Sequence, residues 1–337
     1  MSEREKAVII GISGPSSSGK TTLARLLQRI FYGAKSAASD KRLNTFIIHE
    51  DDFYFPDDKY VEQNIHILHD TDTIRIPYTT TRSGATIQDW DTAAAIDLSF
   101  LSQALRYVRE NGTLPPRLRS KEDQNDRTES GVTDEVINEL KSLVESRLSA
   151  TGENPTIAFL EGFLLFAPPA QQDHVLRPVH DAINLHVFLP AAYKLVKERR
   201  EGRSGYVTIG PAPEPVESES KQADTEINAG EIDLEAEDDR PPQNFWVDPP
   251  GYVDDVVWPR YVGDHAWLLI ADADENDASE SLVGAEAEAD LVRRVGDGTR
   301  VRTDVGVEIA PGAGGAEMDV VLRWAVGLIL DYYLEQR

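Results

Sequence analysis

The chain has 337 residues and no cysteine, which excludes disulfides, thiolate nucleophiles and cysteine-ligated zinc, and its 7 histidines show no metal-ligand spacing. The net charge of −25 is concentrated in two segments: residues 214–240 hold eleven acidic and two basic residues, and residues 271–320 hold thirteen and four, a distribution that argues against nucleic acid as a partner. No apolar run approaches the roughly 20 residues that cross a bilayer, and the opening Met1-Ser-Glu-Arg-Glu-Lys has neither a signal core nor a transit pattern, so the expectation is a cytoplasmic protein with no membrane partner.

Lys6–Ile12 (KAVIIGI) is short, apolar and β-branched, and predicts a buried strand. A glycine- and serine-rich loop follows, then Thr21–Phe31 with apolar residues at helical spacing. Asn44–His49 predicts a second strand, and residues 91–109 a helix capped by Asp91 or Thr92. Residues 112–130, with Pro115-Pro116, read as a loop, and residues 133–149 as a polar helix. Thr156–Leu160 and Ile183–Leu189 are further buried strands, and Ala191–Arg200 is a helix. Residues 208–243 are rich in Pro, Glu, Asp and Ala and predict disorder, and residues 271–300 a solvated excursion. Val305–Ala310 predicts a short strand. Met318–Leu334 predicts a final helix that packs in a core rather than a membrane, because Asp319, Arg323 and Asp331 interrupt it. Alternating strands and helices predict one α/β domain over residues 1–337, with a parallel sheet of about five strands, helices on both faces and a small helical lid.

Gly14-Pro-Ser-Ser-Ser-Gly19-Lys20-Thr21 matches G-x-x-x-x-G-K-[ST] between a strand and a helix. Such a loop turns its backbone amides onto phosphate oxygens at a helix N-terminus. ATP phosphates are expected at Gly14, Ser16, Ser17, Ser18, Gly19, Lys20, Thr21 and Thr22, with the Thr21 hydroxyl on Mg²⁺. The loop alone implies a nucleoside triphosphate and does not name a reaction. Two carboxylate sites follow. Asp51, in His49-Glu50-Asp51-Asp52-Phe53-Tyr54-Phe55, ends a strand where a base could take a hydroxyl proton, although Asp is also common in turns and caps. Glu161-Gly162 ends TIAFL, where a carboxylate can serve Mg²⁺ or simply face solvent. The cationic stretch Lys194–Arg203 offers Arg199, Arg200 and Arg203 to phosphates; its alternative reading is a solvated face.

These residues together resemble the nicotinamide riboside kinase family, within the uridine kinase-like group of P-loop kinases. The resemblance rests on IIGISGPSSSGKTTLA (9–24), HEDDFYFP (49–56), QDWDTAAAID (88–97), IAFLEGFLLF (157–166), FLPAAYKLVKERREGR (188–203) and DPPGYVDDVVWPRY (248–261). It implies Asp51 as the catalytic base at a ribose 5′-hydroxyl, and Asp91 with Arg200 at the 2′- and 3′-hydroxyls. It also implies Trp90 and Tyr206 around a pyridinium ring, Glu161 at Mg²⁺, and Lys20, Arg199 and Arg203 at the transferring phosphate. A cation between two π faces gains cation–π attraction. The chain departs from the family pattern at Trp90, where a Tyr is usual, at the insertion Ser204-Gly205, and in the additions at 112–130, 208–243 and 271–300. The expected activity is phosphorylation of nicotinamide riboside by ATP with Mg²⁺. The alternatives are a uridine/cytidine kinase and a non-catalytic nucleotide-binding scaffold.

Overall fold

The computed structural model describes residues 6–35, 42–55, 77–120, 129–148, 156–203, 205–209, 232–236, 243–270 and 285–335. In chain order the first elements are β1 (Ala7–Ser13), α1 (Lys20–Phe31), β2 (Thr45–His49), β3 (Tyr78–Thr80), β4 (Thr86–Gln88) and α2 (Leu98–Asn111). Then come α3 (Asp134–Leu148), β5 (Thr156–Glu161), α4 (Arg177–His180), β6 (Leu185–Phe188) and α5 (Tyr193–Glu201). The chain closes with β7 (Tyr206–Ile209), β8 (Gln243–Trp246), α6 (Trp258–Leu269), α7 (Ala285–Val295), β9 (Glu308–Ile309) and α8 (Met318–Glu335).

Five strands form one sheet in the order β2-β5-β1-β6-β9, every pair parallel. The central strands β1 and β5 read as near-continuous apolar runs because both faces are covered, whereas the edge strand β9 exposes Glu308. Along β5, Ile157 and Phe159 join Ile10 and Ile12 in a core shared with α1, α3 and α8. Ala158 and Leu160 point the other way, into a core shared with α2, α4 and α6. This is the doubly wound α/β architecture of a phosphate-loop kinase. It gathers the C-terminal ends of β1, β2 and β5 along one edge of the sheet. Two antiparallel hairpins, β3–β4 and β7–β8, stand outside the sheet.

Three expectations change. The helix predicted from residue 91 starts at Leu98, after a 3₁₀ turn at Ala93–Ala95, and its cap is Asp97, whose carboxylate accepts the Phe100 N–H at 2.8 Å. Asp91 is drawn instead to Arg200, so it cannot cap. Within the excursion predicted at 271–300, residues 285–295 form α7: Val295 is buried, and Leu291 and Val292 are half-buried against the α6 side of the core. Their three-to-four-residue spacing supplies an apolar stripe that the Ala/Glu composition masked; residues 271–284 lie outside the described residues. Within the stretch predicted disordered at 208–243, residues 208–209 and 243 belong to β7–β8, and residues 232–236 dock on α2. The Ile232 N–H donates to Gln103 Oε1 (2.8 Å), the Leu234 carbonyl accepts the Arg117 N–H (3.2 Å) and Glu235 accepts the Tyr107 hydroxyl (2.7 Å). Residues 210–231 and 237–242 lie outside the described residues. The sequence did not signal α6, which a π-helical turn at Val253–Val257 precedes. Among the described residues no helix is long and apolar enough to cross a membrane.

Candidate active site

The loop after β1 curls because glycine permits it. Gly14 has φ of 148°, and a Cβ there would lie 2.3 Å from the Leu189 carbonyl oxygen; Gly19, at φ of 101°, turns the chain into α1. Lys20 is buried and donates from Nζ to the Pro15 carbonyl at 2.9 Å. Desolvation lowers its pKa, with Glu161, Asp51 and Glu50 opposing and the charge of Arg203 adding to the fall. α5 lies over this loop. Arg199 donates to the Ser17 carbonyl (3.2 Å) and Arg200 to the Ser16 hydroxyl (2.9 Å). Ser18 is buried, and Thr22 sits in the first turn of α1.

The carboxylates come from neighbouring strands. His49 and Glu161 are register partners at the ends of β2 and β5, and His49 Nδ1 lies 2.6 Å from Glu161 Oε1. The Thr21 hydroxyl donates to that same oxygen at 3.0 Å, so the two expected Mg²⁺ ligands meet directly. Burial alone would raise the Glu161 pKa; the hydrogen bond and charge of His49, with Lys20, overcome it and hold the carboxyl below its usual range. Asp51 lies in the 3₁₀ turn Glu50–Phe53 that follows β2 and opens to solvent, while Asp52 is buried. Loss of solvation on its protein-facing side, and then the charge of Glu161, push Asp51 up to about 6 against the pull of Lys20 and His49.

The third group surrounds Arg200. Its guanidinium reaches Asp91 at 3.2 and 3.5 Å and Asp248 at 2.7 and 3.3 Å, and it lies 5.5 Å from the centre of the Tyr252 ring. Burial raises the buried Asp91 carboxyl despite Arg200 and a hydrogen bond with Tyr252. The Tyr252 hydroxyl also accepts the Trp90 backbone N–H at 3.3 Å. Trp90 is half-buried and meets Tyr54 and Trp246 edge to face, at 5.9 and 6.3 Å between centroids. Tyr206 pairs through its backbone with Trp246 across β7–β8; its side chain lies outside the described residues. Among the described residues no three or more His, Cys, Asp or Glu side chains gather into a metal cage.

The chain is similar to three fungal proteins, each a nicotinamide riboside kinase. The relative from Schizosaccharomyces pombe is 27% identical over 266 residues, covering 79% of this chain and 82% of the relative. That from Saccharomyces cerevisiae is 25% identical over 267 residues, covering 79% and 80%. That from Eremothecium gossypii is 24% identical over 262 residues, covering 78% and 77%. No family model matches the chain.

The structure thus brings together Ser16, Ser17, Lys20, Thr21, Asp51, Trp90, Asp91, Glu161, Arg199 and Arg200 at one sheet edge. Sequence reasoning assigned no role to His49, Glu50, Trp246, Asp248 or Tyr252. His49 and Glu50 stand beside Asp51, and Trp246 adjoins the DPPGY block that contains Asp248 and Tyr252, so the signal was proximity to a motif already singled out. Their partners lie far away in sequence, and only the fold reveals them.

Proposed function

We propose that the chain transfers the γ-phosphate of ATP to the 5′-hydroxyl of nicotinamide riboside, giving nicotinamide mononucleotide. The observation that carries this reading is the double grip of Arg200: one guanidinium touches both Ser16 of the phosphate loop and Asp91, so phosphate donor and ribose acceptor have adjoining berths. Similarity to three kinases of this name supports the choice of acceptor.

In this reading the amides of the loop from Gly14 to Thr22, together with Lys20, hold the phosphates. The glycine-dependent curl at Gly14 and the buried lysine fit such a ligand. The oxygen donors of Thr21 and Glu161 suit a hard cation, which binds phosphate-rich sites through one or two protein oxygens and water. Mg²⁺, when bound, neutralises phosphate charge. Asp51 accepts the proton of the 5′-hydroxyl, and its open position at the strand edge leaves room for that group. Lys20, Arg199 and Arg203 offset the charge that develops on the transferring phosphoryl group. Asp91 and Arg200 hold the ribose 2′- and 3′-hydroxyls. Trp90, with Tyr206 or Trp246 as the second aromatic wall, faces the pyridinium ring, and cation–π attraction contributes on the order of 0.5–2 kcal/mol.

The test is kcat/KM for a nucleoside panel with ATP and Mg²⁺, read by product mass, on wild type and Trp90→Ala. Nicotinamide riboside should be preferred, and Trp90→Ala should cost it more than uridine. A uridine preference, with both substrates losing equally, would make the chain a uridine kinase. ATP binding without turnover on any nucleoside would make it a scaffold.

A further inference from the structure

Glu50 is a fully buried acid that the reaction above does not use. Its Oε2 accepts the backbone N–H groups of Phe163 (2.7 Å) and Leu164 (3.0 Å). Its Oε1 is buried with no hydrogen-bond partner among the described residues. A buried carboxyl satisfied at one oxygen is a poor space-filler, since an apolar side chain would occupy the site without desolvation cost. What the acid supplies, and a leucine cannot, is a grip on two adjacent amides. The fold makes room for that grip: a Cβ at Gly162 would lie 2.3 Å from Glu50 Oε2 and 2.5 Å from Glu50 Cβ.

The two ends of this link matter. Glu50 is the chain neighbour of Asp51, and Gly162-Phe163 directly follow Glu161. The link also reaches the aromatic wall, because Phe163 stacks on Tyr54 at 6.5 Å and Tyr54 meets Trp90. We infer that Glu50 is a positioning residue: through the amides of Phe163 and Leu164 it sets Asp51 relative to Glu161, and so aligns the acceptor hydroxyl with the metal-bound phosphate. This rests on the roles given to Asp51 and Glu161 above. Among the described residues no hydrogen bond joins Glu50 to the phosphate loop, so its loss strikes kcat and spares ATP binding. Misplacement on the order of 1 Å costs about 10²-fold in rate.

The experiment measures kcat, both KM values and Tm for Glu50→Gln, Glu50→Leu, Gly162→Ala and Leu105→Ala. Leu105 is a buried α2 residue outside the site and serves as the stability control. Gln keeps a carbonyl oxygen for both amides, so Glu50→Gln should hold kcat within about threefold. Glu50→Leu and Gly162→Ala should each lose about 10²-fold in kcat with KM for ATP within about threefold. Leu105→Ala should lower Tm and keep kcat. The inference is overturned if the folded Leu and Ala variants at 50 and 162 keep wild-type kcat. It is equally overturned if Glu50→Gln falls as far as Glu50→Leu, or if kcat merely follows Tm across all four. Rates are taken on whichever nucleoside the wild type prefers, so a wrong acceptor sinks only the substrate reading, whereas a wild type without turnover sinks both.

Discussion

Asp51 and Asp52 are adjacent and differently surrounded: one opens to the cleft, the other is buried. Asp51→Asn should therefore lower kcat by about 10²–10⁴-fold while ATP affinity stays near wild type, and Asp52→Asn should act on Tm more than on kcat; turnover, ATP titration and thermal melts check both. Because Asp51 sits up at about 6, the base role proposed for it has kcat/KM climb as pH rises through about 6 and then level. Glu50 gives an opposite, purely structural pH effect. Burial first, and then the charge of Asp51, raise its carboxyl to about 8, although the amide hydrogen bonds and Lys20 oppose them. The folded chain then keeps a proton that the unfolded chain loses near the ordinary value of 4.5. Between those values the folded state binds more protons, so raising the pH favours unfolding. Glu50→Gln removes that linkage, and its Tm should gain on wild type as pH goes from about 5 to about 8. The phosphate loop was legible in the sequence because its chemistry lies in eight consecutive residues, Gly14 to Thr21. Glu50 was not, because its partner amide is 113 positions away.

At the scale of elements, β7–β8 has one end in the site and the acidic insertion at the other. Its last strand delivers Trp246, whose indole N–H donates to Asp248 at 2.9 Å, and Asp248 in turn holds Arg200. Between the strands, residues 232–236 make three hydrogen-bonded contacts with α2 and the chain after it, and half-buried Ile232 and Leu234 pack against the core. Replacing residues 210–230 with a short Gly/Ser linker should leave Tm within a few degrees, because that stretch has little apolar content to lose. Extending the replacement through 236 should lower Tm by about 2–4 °C for each kcal/mol of packing lost. Equal melts for the two variants would show that the docked segment contributes nothing. Composition hid this segment, because Ile232 and Leu234, two residues apart in a stretch with eleven acids, do not make a periodic pattern, and contact with α2 is a property of the fold. Four of the five sheet strands, by contrast, announced themselves as apolar runs, and β9 as the short strand within VGVEIA; what the sequence did not carry was their order, which depends on how the crossovers pack.

For the whole molecule, 59 acidic residues face 34 basic ones. Exposed ion pairs tie α3 to α1 through Arg29–Asp134 (2.7 Å) and to α8 through Arg147–Asp331 (2.8 Å) and Arg323–Glu139 (2.7 Å). Each such pair is worth about 0–1 kcal/mol, and salt weakens it. The unpaired excess of negative charge opposes compaction, and the same salt relieves it. With a net charge of −25 the second effect outweighs the first, so Tm should rise between about 10 mM and about 0.3 M NaCl. A falling Tm over that range would mean that the pairs dominate.

The π turn at Val253–Val257 has a consequence for chain length. Such a turn closes i→i+5 and holds an extra residue relative to the α-helix that continues it. One residue is worth about 100° of rotation about the axis. Asp248 and Tyr252 lie on one side of the turn, and Trp258 and Arg260 on the other, where Arg260 holds Asp89 at 2.6 Å. The wider winding absorbs that residue, so the two flanks stay in phase across the turn. Wound as an ordinary α-helix with none removed, the same residues would leave α6 seated in its core and swing Tyr252 and Asp248 off Arg200 by about that angle. The pocket is thus aimed like the hand of a dial: how the residues between Asp248 and Trp258 are wound, as much as their identity, decides where it points.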